Sequence, residues 1–172
     1  MKRLFLLRHA KAQPADSATE DFDRTLLFSG MQDAAAMARH LRKNEYRPDL
    51  ILCSASARTS QTAELVLQQV ETEIEYRDNL YLADPGRILA AVRGAPAPVA
   101  ALMVVGHNPG MEDLATQLAR EPVRSKERSR YEQLEEKFPT CALAILDFDA
   151  GRWRDIAPAT GKLVEFVRPK DL

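Results

Sequence analysis

Three runs of four consecutive apolar residues set the frame of this chain: Leu4-Phe5-Leu6-Leu7, Leu50-Ile51-Leu52-Cys53 and Leu102-Met103-Val104-Val105. Each fits a strand buried on both faces, as in a parallel sheet. Helical spacing fills much of the chain between them. Residues 11–28, with Pro14, Asp16, Ser17, Asp21 and Asp23, predict an irregular loop. A helix is expected next, because Ser29 and Gln32 have capping-box spacing. Its apolar face is Met31, Ala34, Ala35, Ala38 and Leu41, and Asn44 and Pro48 end it. A second helix is expected over 57–70, with Ala63, Val66 and Val70 on one face, then a short strand at 74–76. Asp84-Pro85 reads as N-cap and first-turn proline, opening a helix with Ile88, Leu89 and Val92 inward and Gly94 at its end. Asn108-Pro109 repeats that signal before Met111, Leu114, Ala115 and Leu118, spaced i, i+3, i+4, i+7. Residues 142–148 and 153–157 predict two strands joined at Asp149-Ala150-Gly151. Strands alternating with helices predict an α/β fold: a three-layer sandwich with a mainly parallel central sheet, one domain over residues 1–172.

Residues 120–138 break the pattern. Eleven charged side chains crowd this stretch, yet Tyr131, Leu134 and Phe138 keep a thin helical stripe. The expectation is a solvated helix lying over the fold as a charged insertion. The functional alternative is a partner-binding or site-covering element.

Composition narrows the class. With 45% hydrophobic and 28% charged residues, the chain reads as an ordinary globular protein. A net charge of -1 lacks the basic footprint expected for nucleic-acid binding. Lys2-Arg3 ahead of four apolar residues is too short a pattern for a signal peptide, and no run approaches the length of a membrane span. The expectation is a cytoplasmic protein with reduced, buried Cys53 and Cys141. Two cysteines and three histidines offer no metal-ligand spacing, so neither metal nor cofactor is expected.

The strand ends carry the chemistry. Arg8-His9 follows the first apolar run, Ser54 and then Arg58 follow the second, and Gly106-His107-Asn108 follows the third. Ligands of open α/β sheets bind outside the carboxyl ends of the strands. Arg58 falls in the first turn of a predicted helix, an unfavourable place for a cation unless an anion is bound there. His107 also precedes a helix start, where free N–H groups attract phosphate. Arginine holds phosphoryl oxygens bidentately and neutral imidazole is a competent nucleophile. Two of each suit phosphoryl transfer without a metal. Neither a G-x-S-x-G elbow nor a P-loop occurs.

Leu7-Arg8-His9-Ala10, the stretch from Ser54 to Ala63 and Val105-Gly106-His107-Asn108-Pro109-Gly110 together resemble the histidine phosphatase superfamily. Their order and spacing resemble its short branch, the phosphohistidine phosphatase SixA type. So do Asp23-Arg24-Thr25-Leu26, Ser29-Gly30 and the closing Pro169-Lys170-Asp171-Leu172. The resemblance implies a phosphoglycerate mutase-like fold, His9 as the nucleophile that becomes phosphorylated, and Arg8 and Arg58 as a phosphate clamp. It makes His107 the second histidine on the phosphoryl oxygens, with Arg24 and Asn108 as substrate-binding residues. A salt bridge from Arg24 to Asp21 or Asp23 is the alternative for that side chain. The implied substrate is a phosphorylated protein or a small phosphorylated molecule.

Many ester-cleaving relatives carry a glutamate acid after the third strand, and this chain has no Glu between Glu75 and Glu112. An alkoxide leaving group needs a proton donor, worth roughly 10²–10⁴-fold in rate, whereas imidazole needs less help. The expectation is therefore protein phosphohistidine hydrolysis through a phospho-His9 intermediate. The enzymatic alternative is a small-molecule phosphate esterase with Asp84 or Tyr81 as acid. The alternative of another class is a binding module using the 120–138 helix.

Overall fold

The structure is a computed structural model covering residues 1–172. Six strands form one sheet: β1 (Lys2–Arg8), β2 (Leu50–Ser54), β3 (Glu73–Arg77), β4 (Ala101–Gly106), β5 (Leu143–Phe148) and β6 (Lys162–Val167). Their spatial order is β3-β2-β4-β1-β5-β6. The first four are mutually parallel, β5 runs antiparallel to β1, and β6 antiparallel to β5. Five α-helices cover the faces: α1 (Phe28–Lys43), α2 (Ala57–Leu67), α3 (Pro85–Arg93), α4 (Gly110–Leu118) and α5 (Ser125–Glu136). This is the expected α/β sandwich with a mainly parallel central sheet.

The apolar runs are continuous because both faces of the sheet are covered. Along β1, Leu4 and Leu6 belong to the core shared with α3, α4 and α5, while Phe5 and Leu7 belong to the core shared with α1 and α2. β4 divides likewise, Leu102 and Val104 one way, Met103 and Val105 the other. All eight side chains are buried, and the first polar position after each run falls at the carboxyl edge of the sheet.

Several local expectations need correction. α1 begins at Phe28 with Leu27 as N-cap, so Ser29 lies inside the helix and caps nothing. Packing fixes its entry instead: Leu27 N–H donates to the Lys11 carbonyl, and Gly30 rests on that same carbonyl, where a Cβ would overlap it. Met31 is partly exposed and Met37 takes the buried place. α4 starts one residue later than expected, with Pro109 at the N-cap, although Asn108 Oδ1 still accepts from Glu112 N–H at 3.2 Å. Residues 153–157 are not a strand. Trp153–Asp155 forms a 3-10 turn because the buried indole is anchored through Nε1 to the Val99 carbonyl at 2.7 Å. The strand that pairs with β5 is β6, with an irregularity in register at Ile145/Leu146. α5 lies against β6 and α4, burying Leu134 and, just beyond its end, Phe138.

Candidate active site

The adjacency of β2, β4 and β1 brings their carboxyl ends together. In register, Arg8 sits opposite Gly106 and Cys53 opposite Val105. His9 N–H donates to the Gly106 carbonyl at 3.1 Å, so the first and third motifs are tied main chain to main chain. The second motif is tied in through α2. Thr62 Oγ1 accepts from Ala10 N–H at 3.0 Å and donates to the Arg58 carbonyl at 2.7 Å, while Gln61 Oε1 accepts from Leu26 N–H at 2.7 Å. Residues 8, 9, 58 and 107 thus reach one pocket of about 440 Å³, lined also by Lys11, Asp21, Arg24, Leu82, Asn108 and Thr140.

His9 and His107 have ring centroids 5.3 Å apart. His9 Nδ1 lies 2.7 Å from the Ala10 carbonyl, which can only accept, so the ring proton is on Nδ1 and Nε2 keeps its lone pair. Burial, reinforced by Arg58, Arg8 and Arg24, pushes His9 down to about 4. Burial and then His9 and Arg58 push His107 down to about 3. Both imidazoles are neutral at pH 7. Burial lowers the pKa of Arg8, but an arginine stays charged.

Three buried polar atoms have no protein partner: Arg8 Nε, Arg58 Nε and His107 Nδ1. Buried donors left unpaired are costly, and these three belong to residues lining one pocket. An oxyanion is the class of ligand that such donors can pair with. Each arginine is held elsewhere by its terminal nitrogens. Arg8 Nη1 donates to the Phe138 carbonyl at 3.0 Å, and Arg58 Nη1 to the Asp21 carbonyl at 2.7 Å.

His107 Nε2 lies 2.8 Å from Ser54 Oγ, and both residues are buried. The imidazole could donate to the hydroxyl, but the Ser54 proton would then have no acceptor. If Ser54 donates, its proton is used and the His107 proton resides on Nδ1, the unpartnered atom, where a bound oxyanion would accept it. With an oxyanion in the pocket, the arrangement that pairs both protons is His107 as an Nδ1–H donor.

Asp21 is the residue that sequence reasoning treated only as a partner for Arg24. It does bind Arg24, at 2.9 Å, but Oδ2 also binds Arg58 Nη2 at 3.1 Å and accepts from the Tyr81 hydroxyl. The Tyr81 hydrogen bond and the two arginines hold its carboxyl well below the usual carboxylate range. Tyr81 stands edge-on to His107, with centroids 5.4 Å apart, and its own pKa is raised by burial and by Asp21. Asp84 is elsewhere: exposed, with its carboxylate accepting from Arg87 N–H at 2.8 Å as the α3 N-cap. Arg24 lines the pocket and also donates to the Gln13 carbonyl. Asn108 lines it too, but its side chain is engaged with the Phe138 carbonyl at 2.9 Å and Glu112 N–H.

Residues 4–89 match the model of the histidine phosphatase superfamily, branch 1. The chain belongs to the histidine phosphatase superfamily. A crystal structure from Agrobacterium tumefaciens, assigned provisionally as phosphohistidine phosphatase SixA, is 34% identical, with TM-score 0.79 over 98% of each chain. A second SixA structure of the same provisional assignment, from Nakamurella multipartitia, is 30% identical, with TM-score 0.84 over 98% of this chain and 96% of that one. An uncharacterized protein of Mycobacterium tuberculosis is 34% identical over 95% of this chain and its own full length. The protein is thus a histidine phosphatase superfamily hydrolase of the phosphoglycerate mutase-like fold. No helix is long and apolar enough to cross a membrane.

Proposed function

We propose that this histidine phosphatase dephosphorylates protein phosphohistidine through a covalent phospho-His9 intermediate. The observation that carries this reading is the state of Asp21. It is the carboxylate that lines the pocket, and it is held ionised by Tyr81, Arg24 and Arg58. An ionised carboxylate cannot protonate a departing alkoxide, so the resting site favours donors whose leaving group needs little help. A phosphoimidazole protonated on its far nitrogen leaves as neutral imidazole, taking the electron pair of the broken P–N bond.

In the first step His9 Nε2 donates its lone pair to phosphorus in line with that leaving group. Arg8 Nε, Arg58 Nε and His107 Nδ1–H bind the equatorial oxygens as their charge grows, a task that preorganised donors perform without reorganisation. In the second step water attacks phospho-His9. The new P–O bond replaces the P–N bond, phosphate leaves, and Nε2 regains its lone pair. Asn108 and Arg24 line the mouth and would contact the substrate beyond the phosphoryl group.

The test is a rapid-quench reaction with labelled phosphoramidate and with a phosphohistidine protein. Label that is acid-labile and base-stable should appear on the enzyme and be absent from His9→Ala. Normal turnover by His9→Ala would refute the mechanism. Turnover of phosphate esters exceeding that of both N-phosphorylated substrates would refute the substrate class.

A further inference from the structure

Leu82 sits in a backbone conformation that the fold alone gives no reason to fill with leucine. The turn Leu80–Ala83 closes with Ala83 N–H donating to the Leu80 carbonyl at 3.3 Å. Tyr81 has φ -64 and ψ 119, and Leu82 has φ 48. The Tyr81 angles and the positive φ of Leu82 fit a type II-like turn, whose third position takes glycine or asparagine because other side chains crowd the backbone there. Packing does not offset this strain: Leu82 is 55% exposed. The turn is nevertheless pinned on both sides. Tyr81 packs edge-on against His107, and the Ala83 carbonyl presses on Gly110 so closely that a Cβ there would overlap it.

The pinned turn delivers Leu82 to the rim of the pocket that holds His9, Arg58 and His107. Every other large side chain lining that pocket is polar or charged, and Ala12 is the one further hydrophobic residue. An isobutyl group offers nothing to phosphoryl oxygens. It offers apolar contact to whatever carries the phosphoryl group. Strained residues held in place by their surroundings gather at functional sites, and this one is both strained and exposed.

We propose that Leu82 is a specificity-determining residue that reads an apolar side chain beside the phosphohistidine of the substrate polypeptide. This rests on the protein-phosphohistidine reading above. Covering the exposed half of a leucine corresponds to roughly a fivefold to tenfold preference in kcat/KM.

The experiment compares the full-length wild type, Leu82→Asn and Leu82→Met on three substrates: phosphoramidate, a phosphohistidine peptide with leucine next to the phosphorylated residue, and the same peptide with aspartate there. The wild type should prefer the leucine peptide, and Leu82→Met should keep that preference. Leu82→Asn should lose it while hydrolysing phosphoramidate at the wild-type rate. Its Tm should rise by about 2–4 °C, because asparagine accepts the left-handed conformation. The proposal is overturned if Leu82→Asn keeps the peptide preference, if it loses phosphoramidate and peptide hydrolysis equally, or if its Tm falls below wild type. A wild type that cleaves phosphoramidate and neither peptide overturns the phosphohistidine reading, and this proposal with it.

Discussion

Replacing Ser54 by alanine probes the catalytic geometry without touching a residue that meets the phosphoryl group. The Ser54 hydroxyl lies 2.8 Å from His107 Nε2, in a fully buried position, and donating there is what holds the His107 proton on Nδ1. Alanine leaves Nε2 buried and unpaired, at a cost of roughly 1–3 kcal/mol. A neutral imidazole relieves much of that cost by shifting its proton and reorienting, which turns a lone pair instead of an N–H toward the phosphoryl oxygens. Complete loss of one such donor costs on the order of 10²–10³ in turnover, so partial loss predicts a fall in kcat of about 10–100-fold, with KM changed far less. Phosphoramidate hydrolysis under saturating substrate reads kcat, and the ¹⁵N shifts of His107 report which nitrogen carries the proton. Ser54→Thr, which keeps the hydroxyl, should recover most of the rate if the added methyl is accommodated. A Ser54→Ala enzyme with wild-type kcat, or with its His107 proton still wholly on Nδ1, would refute the tautomer argument.

Three further outcomes follow from the same geometry. His9 and His107 titrate near 4 and 3 when folded, against an ordinary value of about 6.5. Above about pH 6.5 nothing is lost; below it the unfolded imidazoles take up protons and the fold loses stability, down to about pH 4 for His9 and about pH 3 for His107, by roughly 2–3 kcal/mol for each at about pH 4.5; a urea midpoint as high at pH 4.5 as at pH 7 would contradict it. Asp84→Ala removes the α3 cap and should lower stability by about 1 kcal/mol with hydrolysis unchanged, whereas loss of ester hydrolysis at intact stability would restore Asp84 as an acid. Gly110→Ala forces a Cβ onto the Ala83 carbonyl and should cost about 3 kcal/mol, read as a Tm decrease in thermal denaturation.

The parts of the fold that were legible are those where one physical requirement acts alone. The runs at 4–7, 50–53 and 102–105 are buried on both sides, so nothing polar interrupts them. Arg8, His9, Arg58 and His107 stood out because each follows such a run, and one pocket gathers all four. The misread segments are those where tertiary contacts override local signals. Trp153 looks like a strand residue but is held in a turn by the distant Val99 carbonyl. Ser29 has capping spacing, yet the helix start is set by the Lys11 carbonyl. Asp21 sits three residues before Arg24 and reads as a local ion pair. Its reach to Tyr81 and Arg58 exists only once residues 37 and 60 positions away are folded against it. Ser54 lay inside a motif that the sequence flagged, but its tie to His107 spans 53 positions.

The Phe138 carbonyl receives both Arg8 Nη1 and Asn108 Nδ2, while Phe138 N–H donates to Glu112 Oε1. One peptide-backbone acceptor therefore steadies two residues of the pocket, and it comes from the chain just past the charged helix α5. Main-chain atoms have no letter in a sequence. What evolution can act on at this point is the ring of Phe138, buried and packed against Phe166 with centroids 5.5 Å apart, which anchors the carbonyl from behind. Any bulky apolar residue that fills that space would preserve the contact to Arg8. The exposed side chains of α5 can then drift while the site they adjoin stays intact, so weak similarity at the exposed positions of 125–137 is no sign of a lost activity.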